Sequence, residues 1–491
     1  MDFLPAEEGA ESRPVGTAVL GAGPAGLTAA WVLALRGRPA EVFEADGVVG
    51  GIAKTVEFHG YRFDLGGHRF FTKLEPVARL WEEMLGDELL TRPRLSRIYY
   101  DGKFLAYPLV AKDVIARLGL VESTLCALSY LWSRVRPKPE PTSFEDWVTR
   151  HFGRRLYDAF FRSYTEKVWG IPGHEVKAEW AAQRIKNFSL FKAMLSMLGV
   201  RRTHVTTLID EFRYPRLGPG QMWEAFRGRI EERGIPVRLN RRCTAIKHDG
   251  AGRVESIVLS TNGDATELPV DAVLSSMPLS DLVLSLDPLP PREVVGAAAR
   301  LRYRELCLVA LIIDDDMPFP DNWIYLHDPG TRAGRVQNFG AWSESMVRPG
   351  TTCLGVEYFC FEGDEVWELP DAEAVELAKN ELARIGLVDP ARVVDGVKVR
   401  VPRAYPMYDS SYQEALPIIR DYLRGFTNLR TFGRNGLHRY NNQDHSMWTA
   451  ILATLDLLDG GGHDVWSVNT DAEYHEEGAI VEGLLDVELV A

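Results

Sequence analysis

Cysteine is scarce in this sequence: 491 residues carry five, at positions 126, 243, 307, 353 and 360. They form no C-x-x-C pair and leave one over in any disulfide count. That excludes a disulfide-built fold and predicts buried free thiols in a reducing compartment. Histidine is scattered as well, eleven in all, with no spacing that suits a metal centre. No apolar run approaches the roughly 20 residues of a transmembrane helix. The most apolar stretches, Val114 to Trp132 and Ser189 to Val200, are interrupted by Arg117 and Glu122 and by Lys192, and their spacing suits amphipathic helices on a core. Positive charge is not in excess either: 56 basic against 69 acidic residues give −13. Broad binding to nucleic acid or anionic membrane is thereby disfavoured, while a local basic pocket for a phosphorylated ligand is still open. The first fourteen residues lack the basic-then-apolar pattern of a signal peptide, so a disordered lead and a cytoplasmic protein are expected. There is no internal repeat and no low-complexity segment.

What the sequence does have is a strand, a tight turn, a helix and a strand near its start. The apolar run Ala18 to Leu20 ends in Gly21-Ala22-Gly23-Pro24-Ala25-Gly26, an alanine-rich helical pattern follows, and Val42-Phe43 closes on Glu44. Gly21 permits the turn, Gly23 lets backbone approach a pyrophosphate, and Gly26 allows close helix–strand packing, with Ala25 in the same turn. Glu44 stands where an acid accepts the ribose hydroxyls. With the doublet Gly50-Gly51, the stretch resembles the FAD-binding motif of the amine oxidase, protoporphyrinogen oxidase and UDP-galactopyranose mutase superfamily. FAD rather than NAD is the cofactor this implies. No second G-x-G-x-x-G unit appears, so any reduced flavin must be charged by NAD(P)H at the substrate mouth or by another redox protein.

With 46% hydrophobic and 25% charged residues, the chain is globular and long enough for two or three domains. An α/β architecture is expected: a two-dinucleotide-binding-type FAD fold with a Rossmann-like parallel sheet, a helical insertion and an antiparallel sheet. The FAD-binding domain takes residues 15–75, 212–290 and 425–460. A mostly helical substrate domain takes 76–211, with Ser143 and Asp146 as a capping box. Strand-like runs such as LCLVALIID, WIYLHD and CLGVEYFCF give 291–424 an antiparallel sheet that roofs the flavin. Residues 461–491 are a tail. Asn428 to Gly433 reads as a late strand, Arg434 to Asn442 as a loop and Asp444 to Leu458 as a helix. In the superfamily this late unit brings a helix N-terminus to the flavin, which implies that Gly433 and Arg434 sit against FAD.

Three further segments resemble UDP-galactopyranose mutases more closely. Tyr164-Thr-x-Lys167-x-Trp169-Gly170 is similar to their substrate loop, in which the Tyr stacks on uracil and the Trp rides on a mobile loop. Gly66-Gly67-His68-Arg69-Phe70-Phe71 is similar to the segment that lays a glycine against the cofactor and a histidine beside flavin N5, so Gly66 and a catalytic His68 are implied. Arg184 and Arg335 fall where the mutases place their diphosphate-binding arginines. Tyr405-Pro406-Met407-Tyr408 resembles a Tyr-Pro segment that supplies a phosphate-contacting tyrosine, and either tyrosine matches. Where many bacterial mutases have a tyrosine in the glycine–arginine loop, this chain has His438, with Tyr440 two positions on.

The resemblance implies a flavin-dependent enzyme acting on a small-molecule substrate, a nucleotide-linked sugar. In the mutases reduced flavin N5 attacks the anomeric carbon as the nucleoside diphosphate leaves, giving pyranose–furanose isomerisation. The alternative is an oxidase or dehydrogenase of the amine oxidase or protoporphyrinogen oxidase type. A non-catalytic binding protein on the same fold, as in Rab GDP-dissociation inhibitors, is disfavoured by the intact flavin glycines.

Overall fold

The computed structural model describes residues 15–107, 116–117, 119–135, 140–178, 211–460 and 462–468. Arg184, the stretch Ser189 to Val200, the lead 1–14 and most of the tail lie outside the described residues.

The opening unit is β1 (Thr17–Leu20), α1 (Pro24–Leu35) and β2 (Ala40–Phe43). β1 pairs in parallel with β2 and with Ala272–Ser275. Leu429–Thr431 and Val237–Arg238 complete a five-stranded sheet on either side. All four β1 positions are buried, as an apolar run in a covered parallel sheet requires. α1 is apolar on every side because it packs into one core cluster with the long helix Gln443–Asp459 and the helix Gly220–Glu232. Its Gly26 lets the helix start close against the turn that leaves β1: a Cβ there would overlap the carbonyl oxygen of Gly21.

The second layer is a seven-stranded sheet, ordered Val393–Pro406, Tyr303–Ile313, Thr352–Cys360, Arg335–Asn338, Trp323–Leu326, Ser96–Tyr100, Lys103–Ala106. Tyr303–Ile313 is buried at all eleven positions. Its side chains alternate, Cys307, Val309 and Leu311 entering one core and Leu306, Leu308 and Ala310 another. Two of the strands correct the sequence reading. Residues 89–106, expected within a helical stretch, form three strands, and Ser96–Tyr100 joins the roof sheet beside Trp323–Leu326 in parallel.

The helical part that follows contains the expected capping box: the Ser143 hydroxyl accepts from the Asp146 amide at 3.1 Å, and the Asp146 carboxylate accepts from the Ser143 amide at 3.3 Å. A turn of π-helix, Tyr157–Phe161, then leads into the helix Arg162–Trp169. All five cysteines are free and four are buried. Among the described residues no helix is long and apolar enough to cross a membrane, and no cluster of His, Cys, Asp and Glu is placed to hold a metal ion.

Candidate active site

One cavity of about 660 Å3 runs between the two sheets, from Gly21, Gly23 and Glu44 at one end to Tyr164 and Arg335 at the other. It opens at the C-terminal ends of the parallel strands, where α/β sheets bind their ligands. Gly21, at φ 101°, makes the turn after β1. Gly23 differs from its neighbours: its backbone is extended, and a Cβ there would meet nothing nearer than the Gly51 Cα at 3.7 Å. No atom of the described residues demands that glycine. The space it leaves, beside the first turn of α1, fits a pyrophosphate on a helix N-terminus. Glu44 accepts from the backbone amides of Ala22 at 2.6 Å and Asp46 at 2.8 Å, while burial pushes its carboxyl pKa up. Gly51 lines the cavity and Gly50 stands behind it, donating to the Ala22 carbonyl at 2.8 Å. These residues fit the dinucleotide half of FAD.

The middle of the cavity is built by two returning loops. Gly66, at φ 121°, turns the chain so that His68 meets the cavity wall. Among the described residues the buried Nδ1 of His68 has no hydrogen-bond partner. Burial, then the cations Arg434 and Arg335, lower its pKa to about 3, so the imidazole is neutral near pH 7. From the other side, Gly433 donates to the Thr449 hydroxyl at 3.0 Å and packs on Ala25. Arg434 is fixed by the carbonyls of Ala404 (2.7 and 3.0 Å) and Asn441 (3.0 Å), and its guanidinium lies 4.1 Å from the Tyr440 ring centroid and 5.1 Å from that of Tyr405. Those two rings stack on each other, 5.6 Å apart and 18° from parallel. The helix Gln443–Asp459 starts here, and Gln443 to Ser446 line the wall.

The far end is aromatic and cationic. Tyr164 stacks on His327 at 4.7 Å and meets Tyr325 edge-on at 5.5 Å. Arg335 stands opposite Tyr325 in the roof sheet and is held by Glu357 through bonds of 2.9 and 2.6 Å. Glu357 is fully buried and also accepts from Gln337. Burial alone would lower the Arg335 pKa, but the Glu357 carboxylate holds it well above its ordinary value.

Not every expected residue reaches the cavity as the resemblance implied. Trp169 lines it, but as the last residue of a helix and only 1% exposed, not on a loop. Lys167 of the same motif is structural, donating to the carbonyls of Leu326, Asp328 and Ala333 and to the Thr331 hydroxyl at 2.6 to 3.2 Å. His438 does not line the cavity: it is fully buried behind the wall, against Tyr303 and the Met407 carbonyl. Tyr405 rather than Tyr408 lines the cavity, and Gly26, Gly50 and Gly433 support it from behind. Sequence reasoning missed Glu357, Trp323, Tyr325, His327 and Arg94. Glu357 had a signal, a lone acid inside the apolar run CLGVEYFC.

Residues 24–449 match the family of flavin containing amine oxidoreductases. Protoporphyrinogen oxidase 2, chloroplastic/mitochondrial, of Arabidopsis thaliana is 32% identical over 458 residues, 83% of this chain and 88% of that protein. Among solved structures, reduced UDP-galactopyranose mutase superposes with a TM-score of 0.80 at 21% identity, covering 93% of this chain and 97% of that one. Putrescine oxidase bound to putrescine gives 0.61 at 17% identity, covering 91% and 99%. At such identities the structural likenesses establish the shared fold, and the sequence matches establish the lineage. The chain belongs to the flavin containing amine oxidoreductase family, and its cofactor is FAD.

Proposed function

We propose that this flavoenzyme acts on a nucleotide-linked sugar, as a pyranose–furanose mutase of the UDP-galactopyranose mutase kind. The observation that carries the reading is the surplus of guanidinium in the chamber: Arg69, Arg94 and Arg434 line it with a neutral His68 and with Arg335, whose charge Glu357 balances, among rings that include Tyr164, Trp323 and Tyr325. Those guanidiniums favour an anion over a cationic amine, and a nucleoside diphosphate offers a flat base and two phosphates. The high structural likeness to reduced UDP-galactopyranose mutase supports the same reading. Stacking of a base on a ring such as Tyr164 is worth roughly 1 to 3 kcal/mol.

When bound, FAD supplies the reactive ring that either attacks an anomeric carbon or accepts a hydride. The protein's own residues do the rest. Gly23 and the start of α1 hold the pyrophosphate, and Glu44 the ribose. Arg335, held in place by Glu357, steadies the leaving diphosphate, with Arg184 as its expected partner. His68, neutral, offers a hydrogen bond beside the flavin, and Trp169, Tyr405 and Tyr440 close the walls. The FAD-binding unit in this reading comprises residues 15–75, 212–290 and 425–460.

The test is an anaerobic titration of the purified yellow protein, oxidised and dithionite-reduced, with UDP-sugars. Tighter binding to the reduced form, without reoxidation of the flavin, is expected. The 32% identical protoporphyrinogen oxidase favours a second reading, hydride removal from substrate, and failure of either redox form to bind nucleotide would select it.

A further inference from the structure

Arg94 sits at the substrate end of the cavity, two residues before the roof strand Ser96–Tyr100, whose Ser96 is in register with Trp323. Its guanidinium carbon lies 5.3 Å from the centroid of the Tyr107 ring and 5.6 Å from that of Trp323. Arg69 approaches the same Trp323 ring at 5.9 Å.

Arg94 differs from the other arginines of this wall. Arg335 is neutralised by Glu357, and Arg434 spends its donors on the carbonyls of Ala404 and Asn441. Among the described residues the Nε of Arg94 is buried without a hydrogen-bond partner, and the guanidinium rests against rings. Shielding a guanidinium N–H from water without an acceptor is costly, and contact with aromatic rings returns only part of that. A guanidinium held over rings keeps its N–H donors for an oxyanion, which takes two of them at once. Such an arrangement presents its donors to an anion.

We infer that Arg94, carried by Tyr107 and Trp323, binds a phosphate of the substrate in a two-pronged hydrogen bond. The identity of the anion rests on the nucleotide-sugar reading above. The diphosphate would then be recognised mainly at the Trp323 end of the roof, with the already-paired Arg335 contributing less than its position suggests.

The experiment titrates flavin-loaded wild type, Arg94→Ala and Arg94→Lys with UDP and with uridine, following tryptophan fluorescence and flavin absorbance. Wild type should bind UDP at least tenfold more tightly than uridine. Arg94→Ala should lose about tenfold to a hundredfold in UDP affinity, the range for hydrogen bonds to a charged group, and leave uridine unchanged. Arg94→Lys should fall between, because an ammonium keeps the charge but not the fork. If Arg94→Ala fails to load flavin, the lysine variant carries the comparison, and UDP affinity equal to wild type would refute the assignment. Equal UDP affinity in wild type and a flavin-loaded Arg94→Ala overturns the role of Arg94 and leaves the nucleotide reading standing. No preference for UDP over uridine in wild type overturns both.

Discussion

Two glycines three residues apart, Gly23 and Gly26, should fail for opposite reasons when replaced. Gly26→Ala sets a Cβ into the Gly21 carbonyl oxygen, a backbone atom that can move only with the turn itself. Overpacking of that kind costs about 1 to 3 kcal/mol, and it burdens the apoprotein as much as the holoprotein. Gly23→Ser has no such clash, since the nearest atom to a new Cβ is 3.7 Å away. Position 23 is also the N-cap of α1 with an extended backbone, where serine is at least as favourable as glycine. The apoprotein should therefore be as stable as wild type or slightly more so. What the serine fills is the space for the pyrophosphate. Losing two charge-assisted hydrogen bonds at about 1.5 to 3 kcal/mol each weakens FAD by about a hundredfold or more. Equilibrium dialysis of FAD against apoprotein, with thermal melts of the same samples, separates the two. Unaltered FAD affinity in Gly23→Ser, or an apo-Gly26→Ala that melts like wild type, would refute the reasoning.

Other expectations follow from the same geometry. Glu357→Gln leaves Arg335 with an uncompensated buried charge, so stability should fall by about 3 kcal/mol while UDP binds more tightly; weaker binding would mean that Arg335 acts only when Glu357 orients it. Lys167→Met strands four acceptors and should cost about 2 kcal/mol or more in chemical denaturation, and a neutral result would deny it the structural role. His327, lowered to about 3 by burial and then by Lys167, and His438, lowered to about 4 by burial, are neutral in the folded protein. Their contribution to stability is complete above an unfolded pKa of about 6.5 and is lost as pH falls toward those folded values. Between about pH 6 and 5 each adds a slope of up to about 1.4 kcal/mol per pH unit. Removing one with His438→Gln should lessen the slope by about that amount, and an unchanged slope would contradict a neutral buried imidazole. His68→Ala should keep its flavin and lose turnover, and near-normal turnover would remove His68 from the chemistry.

How much of this was legible depended on distance along the chain. The opening unit was readable because turn, helix and acid lie within 28 residues of one another, Thr17 to Glu44, and each has a local physical reason. Residues 89–106 were misread because the partner that makes Ser96–Tyr100 a strand is Trp323–Leu326, and no local pattern reports a pairing more than two hundred residues away. The aromatic motif around Tyr164 named the right wall, yet periodicity could not say which of its side chains serves the cavity and which, like Lys167, ties down a loop. His438 shows the same limit. At φ 46° it turns the chain away, so that Tyr440, not His438, faces the cavity.

The cavity is walled by two sheets that share no strand. Cofactor contacts sit on the ends of the parallel sheet, whereas Trp323, Tyr325 and Arg335 project from one face of the roof, and Ile324, Leu326 and Val336 from the other. Because side chains alternate along a strand, a cavity-facing ring such as Tyr325 can be exchanged by point substitution without disturbing Ile324 and Leu326 behind it or the dinucleotide grip, whereas Arg335 is tied to the buried Glu357. A lineage with this layout can trade one substrate for another in small steps and inherit its flavin unchanged.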